Sequence, residues 1–239
     1  MDKCIIFLSK EESYLGSAMK IKEQSNFYTE IIYIEDYIMN KKKIENSIIY
    51  FLCNSNLVKE ILNIKEINNC YIFNKKFFEN NYTKLEIQNI LQSNYIKVPR
   101  IIDKNSMNKI NYPIFCKEDR HGGIVLKTYT SSTISRFFEK FNKDDFYLEE
   151  SIVAKEELKL YFVRDYIYSK GNVNDILKTI CIKVSKHLQL EIFSIDIIKD
   201  FEDNYYVIDV NPSAGFYMLD YARKELINNI ENIMNEGGK

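Results

Sequence analysis

Residues that break a chain are scarce here: the 239 residues include 7 Gly, 3 Pro and no Trp. That scarcity excludes collagen-like, linker-rich and low-complexity architectures, and it makes each Gly and Pro informative about where the backbone turns. Histidine is rarer still, with only His121 and His187, which argues against a zinc site. The five cysteines (Cys4, Cys53, Cys70, Cys116, Cys181) are odd in number, form no C-x-x-C pair and lie mostly in apolar runs. They read as buried reduced thiols in a reducing compartment. Neither sign of charge is in excess, with 33 Lys+Arg against 34 Asp+Glu and a net charge of −1. The basic footprint of a nucleic-acid binder is therefore missing, and any site for a phosphate must be locally positive. The N-terminus passes from Asp2-Lys3 into a short apolar run, too short for a membrane span and unlike a signal peptide. The expectation is a cytoplasmic protein with no membrane and no nucleic-acid partner; the oligomeric state is not legible.

What is present is an ordinary globular composition, 46% hydrophobic and 28% charged, in a chain long enough for a sizeable core in one or two domains. The first 80 residues alternate strand-like and helix-like stretches. Residues 3–8 are apolar, Ser9-Lys10-Glu11-Glu12 has the form of a capping box opening a helix to about Gln24, and residues 29–34 and 47–52 are β-branched or aromatic. Residues 55–62 have helical spacing and 70–73 read as a fourth strand. This alternation predicts a small parallel α/β sheet. Further on, helical spacing covers 84–93, strands cover 114–117 and 124–129, and Ser131 or Ser132 caps a helix to about Phe141. Residues 146–150 form a strand, 158–164 and 166–168 a hairpin, and 173–188 a helix. Leu219, Ala222, Leu226, Ile230 and Ile233 mark a closing amphipathic helix.

The most informative segment is residues 192–216, where two apolar strands each carry an acid. Alternation puts Asp209 and Asn211 on one face of their strand, and the short 200–204 turn brings Asp196 in on the strand before it. A lone Asp at a strand end is usually a turn former and a lone Asn usually a cap. An acid in a run of Tyr, Val and Ile is costly without a partner, however, and two carboxylates with a carboxamide form an all-oxygen set suited to Mg2+ shared with substrate phosphates. Pro212 and Gly215 then turn the chain past whatever that set holds. Gly122-Gly123 reads either as a hairpin turn or as a loop whose N–H groups lie over phosphates, with Lys117, Arg120 and His121 beside it.

Taken together, these segments resemble the ATP-grasp superfamily, with patterns nearest those of ribosomal-protein glutamate ligases, glutathione synthetases and D-alanine–D-alanine ligases. Five pieces occur in the family's order. They are Lys84 opening a helix upstream of Pro99, the Pro113-Ile-Phe-Cys-Lys117 strand, the Arg120-His-Gly-Gly123 loop, the Leu148-Glu-Glu-Ser-Ile152 hinge, and Asp196 followed by Asp209-Val-Asn211 and Gly215-Phe216. The resemblance implies an α/β (α+β) ATP-grasp fold. A small parallel α/β domain (1–80) would precede a central lobe (81–150) and a C-terminal lobe (151–239), the two lobes enclosing the nucleotide. It implies that Lys84 and Lys117 contact phosphates, with His121, Gly122 and Gly123 in the phosphate loop. The hinge would meet adenine through Glu149, Glu150 and Ile152, the backbones of Glu149 and Ile152 making the bonds. Glu157, or Glu156 if the loop is shorter, would hold the ribose. Asp196, Asp209 and Asn211 would bind Mg2+, with Ser213 and Gly215 at the acceptor. The family's Arg-bearing segment after the hinge hairpin has no counterpart here; Lys159 is the nearest cation and the candidate catalytic residue, followed by Arg164. The implied activity is an ATP- and Mg2+-dependent carboxylate–amine ligase forming an amide through an acyl phosphate, on a small-molecule or peptide substrate. A small-molecule kinase on the same scaffold and a nucleotide-binding module that has lost its chemistry are the alternatives.

Overall fold

The computed structural model describes residues 1–11, 14–53, 57–105, 111–121, 123–217 and 219–236. The first stretch runs Lys3–Leu8 (β1), Leu15–Gln24 (α1), Thr29–Tyr33 (β2), Ile34–Asn40 (α2), Ile44–Glu45 (β3), Ser47–Leu52 (β4), Leu57–Leu62 (α3), Ile67–Asn68 (β5), Tyr71–Ile72 (β6) and Lys75–Asn80 (α4). It continues through Lys84–Ser93 (α5), Ile101–Ile102 (β7), Ile114–Glu118 (β8), Val125–Thr128 (β9), Ser131–Phe138 (α6) and Phe146–Glu150 (β10). The last elements are Glu156–Val163 (β11), Tyr166–Ser169 (β12), Asp175–Leu188 (α7), Ile192–Lys199 (β13), Tyr205–Asn211 (β14) and Asp220–Asn235 (α8).

By compactness the chain falls into two units. One comprises residues 1–81, 159–195 and 210–239, and the other residues 82–158 and 196–209. The first unit holds the expected parallel sheet, ordered β2-β1-β4-β6. Strands β1 and β4 are buried along almost their whole length, which suits a sheet covered on both faces. The core here joins Cys4, Ile6 and Leu8 of β1 and Ile48, Tyr50 and Leu52 of β4 to Ala222, Leu226 and Ile230 of α8. Chain ends far apart in sequence therefore share one apolar cluster.

The second unit contains an antiparallel sheet ordered β7-β10-β8-β9. Its two faces differ because side chains alternate along each strand. Ile114 and Cys116 of β8, Phe146 and Leu148 of β10, and Ile102 of β7 pack with Ile134 of α6 into a core. Lys117, Tyr147 and Glu149 occupy the alternate positions and project from the opposite face. Within this unit the turn after β13 is closed by Asp200 N–H donating to Asn204 O at 2.9 Å, with Asp203 in the left-handed region.

Several local expectations need correction. The helix expected to open at Ser9 starts at Leu15, with Tyr14 at its N-cap. Ser9 Oγ instead donates to Glu35 Oε1 at 2.7 Å, and the Lys10 N–H donates to the same carboxylate at 3.1 Å. A full carboxylate on another element thus takes the hydroxyl that a local box would have used. Helix α2 was not anticipated; Ile34 opens it rather than ending β2, and Glu35 and Asp36 in its first turn are the acidic signal that marks it. Helix α6 stops at Phe138, short of Phe141, and its N-cap is Thr130. Glu12 of the expected box, Ser55 of the third helix and Gly122 of the glycine pair lie outside the described residues.

Candidate functional site

In the second unit, the first turn of α5 presents Lys84. Thr83 caps the helix through a complete capping box, its Oγ1 accepting from Glu86 N–H while the Glu86 carboxylate accepts from Thr83 N–H. Asp119 Oδ1 accepts the Leu85 N–H at 2.7 Å. So fixed, Lys84 places Nζ 3.0 Å from Asp209 Oδ1. Asp209 is 36% exposed.

Beside this pair, on the polar face of the antiparallel sheet, Lys117 forms an ion pair with Glu149 and donates to Ile208 O at 3.1 Å. The two side chains are 11% and 2% exposed. Gln88 of α5 adds a third member, its Nε2 donating to Glu149 Oε2 at 2.5 Å while its own Oε1 is buried with no partner among the described residues. Burial raises the Glu149 carboxyl above its ordinary range, against the pull of Lys117, Gln88 and Lys84. Burial likewise raises the phenol of Tyr147, with the charges of Glu149, Asp209 and Asp119 adding to it. His121 is held below the usual imidazole range by burial first, with Lys84 in the same sense and Asp209 opposing.

The loop before β9 is drawn in by Glu118. One carboxylate oxygen accepts from Ile124 N–H at 2.9 Å and the other from Arg120 Nε at 2.5 Å, and the carboxyl is lowered mainly by Arg120. A Cβ on Gly123 would lie 2.8 Å from Glu118 Cβ, so only glycine allows this close return of the loop.

At the hinge, Glu149 lies between two strands, opposite Ile101 on one side and Phe115 on the other. Its main chain is therefore part of the ladder. Glu150 binds Arg100 through side chain and backbone. Strand β10 ends at Glu150, so Ile152 lies beyond the pairing. Glu156 and Glu157 are exposed on β11.

The first unit holds a cavity of about 490 Å3 whose lining lies wholly within that unit. Its polar lining includes Ser17, Lys159, Ser194 and Asn211. Tyr14, Tyr161, Phe216 and Tyr217 provide flat walls, and Gly16 and Gly215 bring the backbone close. A Cβ on Gly215 would stand 2.9 Å from Ser17 Oγ. Asn211 donates to Tyr14 Oη at 3.3 Å, and its Oδ1 accepts the Ser213 N–H at 2.9 Å. Ser213 itself is fully buried and donates to Cys53 O at 2.7 Å, so it supports the turn rather than lining the cavity. Asn74, in the left-handed region, ties the turn down by donating to Ile192 O at 2.5 Å and Pro212 O at 2.9 Å. The buried Arg223 holds the far wall, donating to Phe216 O at 2.9 Å, to Tyr217 O at 3.3 Å and to Gln24 Oε1 at 2.8 Å.

Of the sequence-based candidates, Lys84, Lys117, His121, Glu149 and Asp209 thus form one electrostatically linked group in the second unit, and Lys159, Asn211 and Gly215 line one cavity in the first. Asp196 is in the second unit, on β13. Sequence reasoning missed Gln88, Asp119 and Tyr147, and also Tyr14, Ser17 and Ser194. For Tyr147 the alternation within 146–150 was an available signal; the others meet their partners only through tertiary contact.

Comparison with known proteins bears on the fold. Residues 153–235 match the model of the RimK-like ATP-grasp domain. No curated protein matches the chain. Among solved structures, the ATP-grasp ligase PsnB complexed with minimal precursor, Mg and ADP is similar at 13% identity and a TM-score of 0.70, over 97% of this chain and 98% of that one. A RiPP-associated ATP-grasp ligase from Chryseobacterium gregarium, in complex with ADP and a leader and core peptide, gives 12% identity and a TM-score of 0.69 over 97% of each chain. D-alanine–D-alanine ligase from Bacillus anthracis gives 14% and 0.71 over 100% of each. Residues 153–235 thus match a RimK-like ATP-grasp domain, and the chain has the fold of the ATP-grasp ligases to which it is similar.

Proposed function

We propose that the protein is an ATP- and Mg2+-dependent carboxylate–amine ligase. The observation that carries this reading is the pair of lysines, Lys84 and Lys117, each held in place by a carboxylate on a largely buried polar surface. Phosphoryl transfer needs charge neutralisation and positioning more than a nucleophile, and preorganised ammonium groups supply both. In this reading Lys84 and Lys117 bind the phosphates, with His121 and the loop at Gly123 beside them. The adenine edge meets main-chain groups at Ile152, where strand pairing has ended, rather than those of Glu149. Glu157 or Glu156 holds the ribose. The functional division into residues 1–80, 81–150 and 151–239 goes with this assignment.

The donor set also fits Mg2+. Among the described residues no three His, Cys, Asp or Glu side chains converge as a dedicated cage. Asp209 is a partly exposed carboxylate, and Asn211 Oδ1 retains a second lone pair beside its bond from Ser213. Mg2+ is ordinarily bound through one or two carboxylates together with substrate phosphates, so Asp196, Asp209 and Asn211 are the residues we assign to it. When bound, it would neutralise phosphate charge as the γ-phosphoryl group moves. The substrate carboxylate attacks the γ-phosphorus, ADP leaves, and an amine then displaces phosphate from the acyl phosphate to form the amide. Lys159, in the cavity lining, steadies the carboxylate. The substrate is a small molecule or a peptide, as the complexes of the similar ligases suggest.

The test is release of ADP in the presence of Mg-ATP and pools of acids and amines. Release that needs both an acid and an amine supports the ligase. Release with a single hydroxyl compound, appearing as its phosphate ester, makes the protein a kinase. Tight Mg-ATP binding with no turnover in any pool makes it a binding module.

A further inference from the structure

Gln88 carries an atom that the nucleotide assignment leaves unexplained. The residue is 6% exposed, and its Oε1 is buried with no hydrogen-bond partner among the described residues. Its Nε2 donates to Glu149 Oε2 at 2.5 Å, and the other oxygen of that carboxylate pairs with Lys117. A buried carbonyl oxygen without a donor is a cost that a satisfied network avoids. No donor among the described residues pins Oε1, so the amide is not locked into the orientation that donates to Glu149. An amide has donors at one end and an acceptor at the other. Turned over, Gln88 would offer Glu149 an acceptor, which a protonated carboxyl group needs and a carboxylate cannot use. Gln88 can therefore match Glu149 in either protonation state.

The protonation state of Glu149 is tied to the nucleotide through Lys117. An ammonium has three N–H groups, so Lys117 can keep its bonds to Glu149 and to Ile208 O and still meet a phosphate. One positive charge then faces two anions in a place largely closed to water. The other groups facing Glu149 leave that imbalance in place. Lys84 on α5 adds a weaker pull but is paired with Asp209, and burial keeps the Tyr147 phenol of β10 neutral. Ile101 on β7 and Phe115 on β8, the residues opposite Glu149, are apolar. A carboxylate beside a second anion gives way by taking a proton. Burial already raises this carboxyl above its ordinary range.

We propose that Gln88 is a positioning residue of the nucleotide site, and that the nucleotide binds together with a proton from solvent, taken up on Glu149 Oε2 and accepted by the reversed Gln88 amide. The inference rests on the nucleotide part of the ligase reading and adds its regulation. Because binding takes up a proton, affinity falls as pH rises from the value of Glu149 in the free protein to its higher value in the complex.

The experiment is calorimetry on the full chain with Mg-ADP, in buffers of different ionisation enthalpy and over a series of pH values. Wild type should take up protons, and its affinity should fall with rising pH, approaching about tenfold per pH unit, the limit for one proton. Glu149→Gln should remove the uptake, and the difference between the two chains cancels whatever the nucleotide itself gains or loses. Gln88→Met has a similar length but offers neither donor nor acceptor. Without the donor, the free carboxyl rises; without the acceptor, the protonated form in the complex is disfavoured. The pH window therefore narrows from both ends, and the uptake shrinks while Mg-ADP still binds. If Gln88 served packing alone, Gln88→Met would lower affinity or the melting temperature alike at every pH and leave the uptake at its wild-type value, which overturns the proposal. So does an uptake in wild type no larger than in Glu149→Gln, with the ligase reading untouched. Should a variant fail to fold, the wild-type chain decides, since an affinity flat from the carboxylate range to neutral pH overturns the proposal. Uptake that depends on both residues, without ADP release in any pool of acids and amines, supports the proposal and removes the ligase reading. A chain that binds no Mg-ADP overturns both.

Discussion

An ammonium group withdrawn from water needs an anion, and for Lys117 that anion is Glu149. Removing one partner of such a buried pair strands the other. Lys117→Met should therefore destabilise the protein by about 3–5 kcal/mol in denaturant unfolding, whereas the double change with Glu149→Gln should recover much of that loss. If Lys117 also binds phosphate, the folded double variant should still bind Mg-ATP more weakly than wild type. Glu149 carries a pH signature too. Its carboxyl is raised in the fold from the ordinary value of 4.5, so the folded state holds a proton that the unfolded state has already released. The associated stability is present below that value and is lost as pH rises through the raised one. As pH rises from the ordinary carboxylate range through the raised one, the stability of Glu149→Gln relative to wild type should accordingly rise, as read from melts at each pH. Asp209 is different, because its side chain, paired with Lys84, is 36% exposed. Asp209→Asn should cost the apo protein no more than about 1 kcal/mol, yet it should abolish the extra thermal stabilisation that Mg2+ adds to ATP. An early-melting variant whose Mg-ATP response is intact would show that Asp209 is no metal ligand.

The first turn of α5 is the element on which Lys84 depends. Thr83→Ala breaks the capping box and should cost about 1 kcal/mol in unfolding; it should also weaken ATP binding, although Thr83 is not itself assigned to the nucleotide. Gly215→Ala tests the turn after β14. The added Cβ would crowd Ser17 Oγ at 2.9 Å, so the variant should melt below wild type. Much of this layer was readable in the sequence. The 47–52 and 146–150 strands and the 84–93 helix have the bounds their apolar periods indicate, because each buries a regular face. What was not readable depends on partners remote in sequence. Ser9 looked like a cap until Glu35 claimed it. Ser17 and Ser194 are small polar residues within apolar stretches, and only the folded chain brings them to one cavity. Gln88 similarly looks like an ordinary helix residue until Glu149 faces it.

At the scale of the molecule, the described residues contain no helix long and apolar enough to cross a membrane. The thiols are inert for the most part. Burial raises Cys4 and Cys181 to about 12 and Cys116 to about 11. Cys70 is only half-buried, so iodoacetamide applied to the native protein should label it well ahead of the others, as peptide mapping would show. The first unit is assembled from three separate stretches of chain, interrupted twice by the second. Its core joins β1 and β4 to α8, and Arg223 of that helix reaches back to Gln24 at the end of α1. Synthesis therefore proceeds against the order of assembly. At ~5–20 residues per second, β1 and β4 leave the ribosome on the order of 10 to 40 seconds before α8 exists to complete their apolar cluster. During that interval the nascent sheet has a bare hydrophobic face, and a ribosome stalled before Asp220 should hold a chain that chaperones recognise.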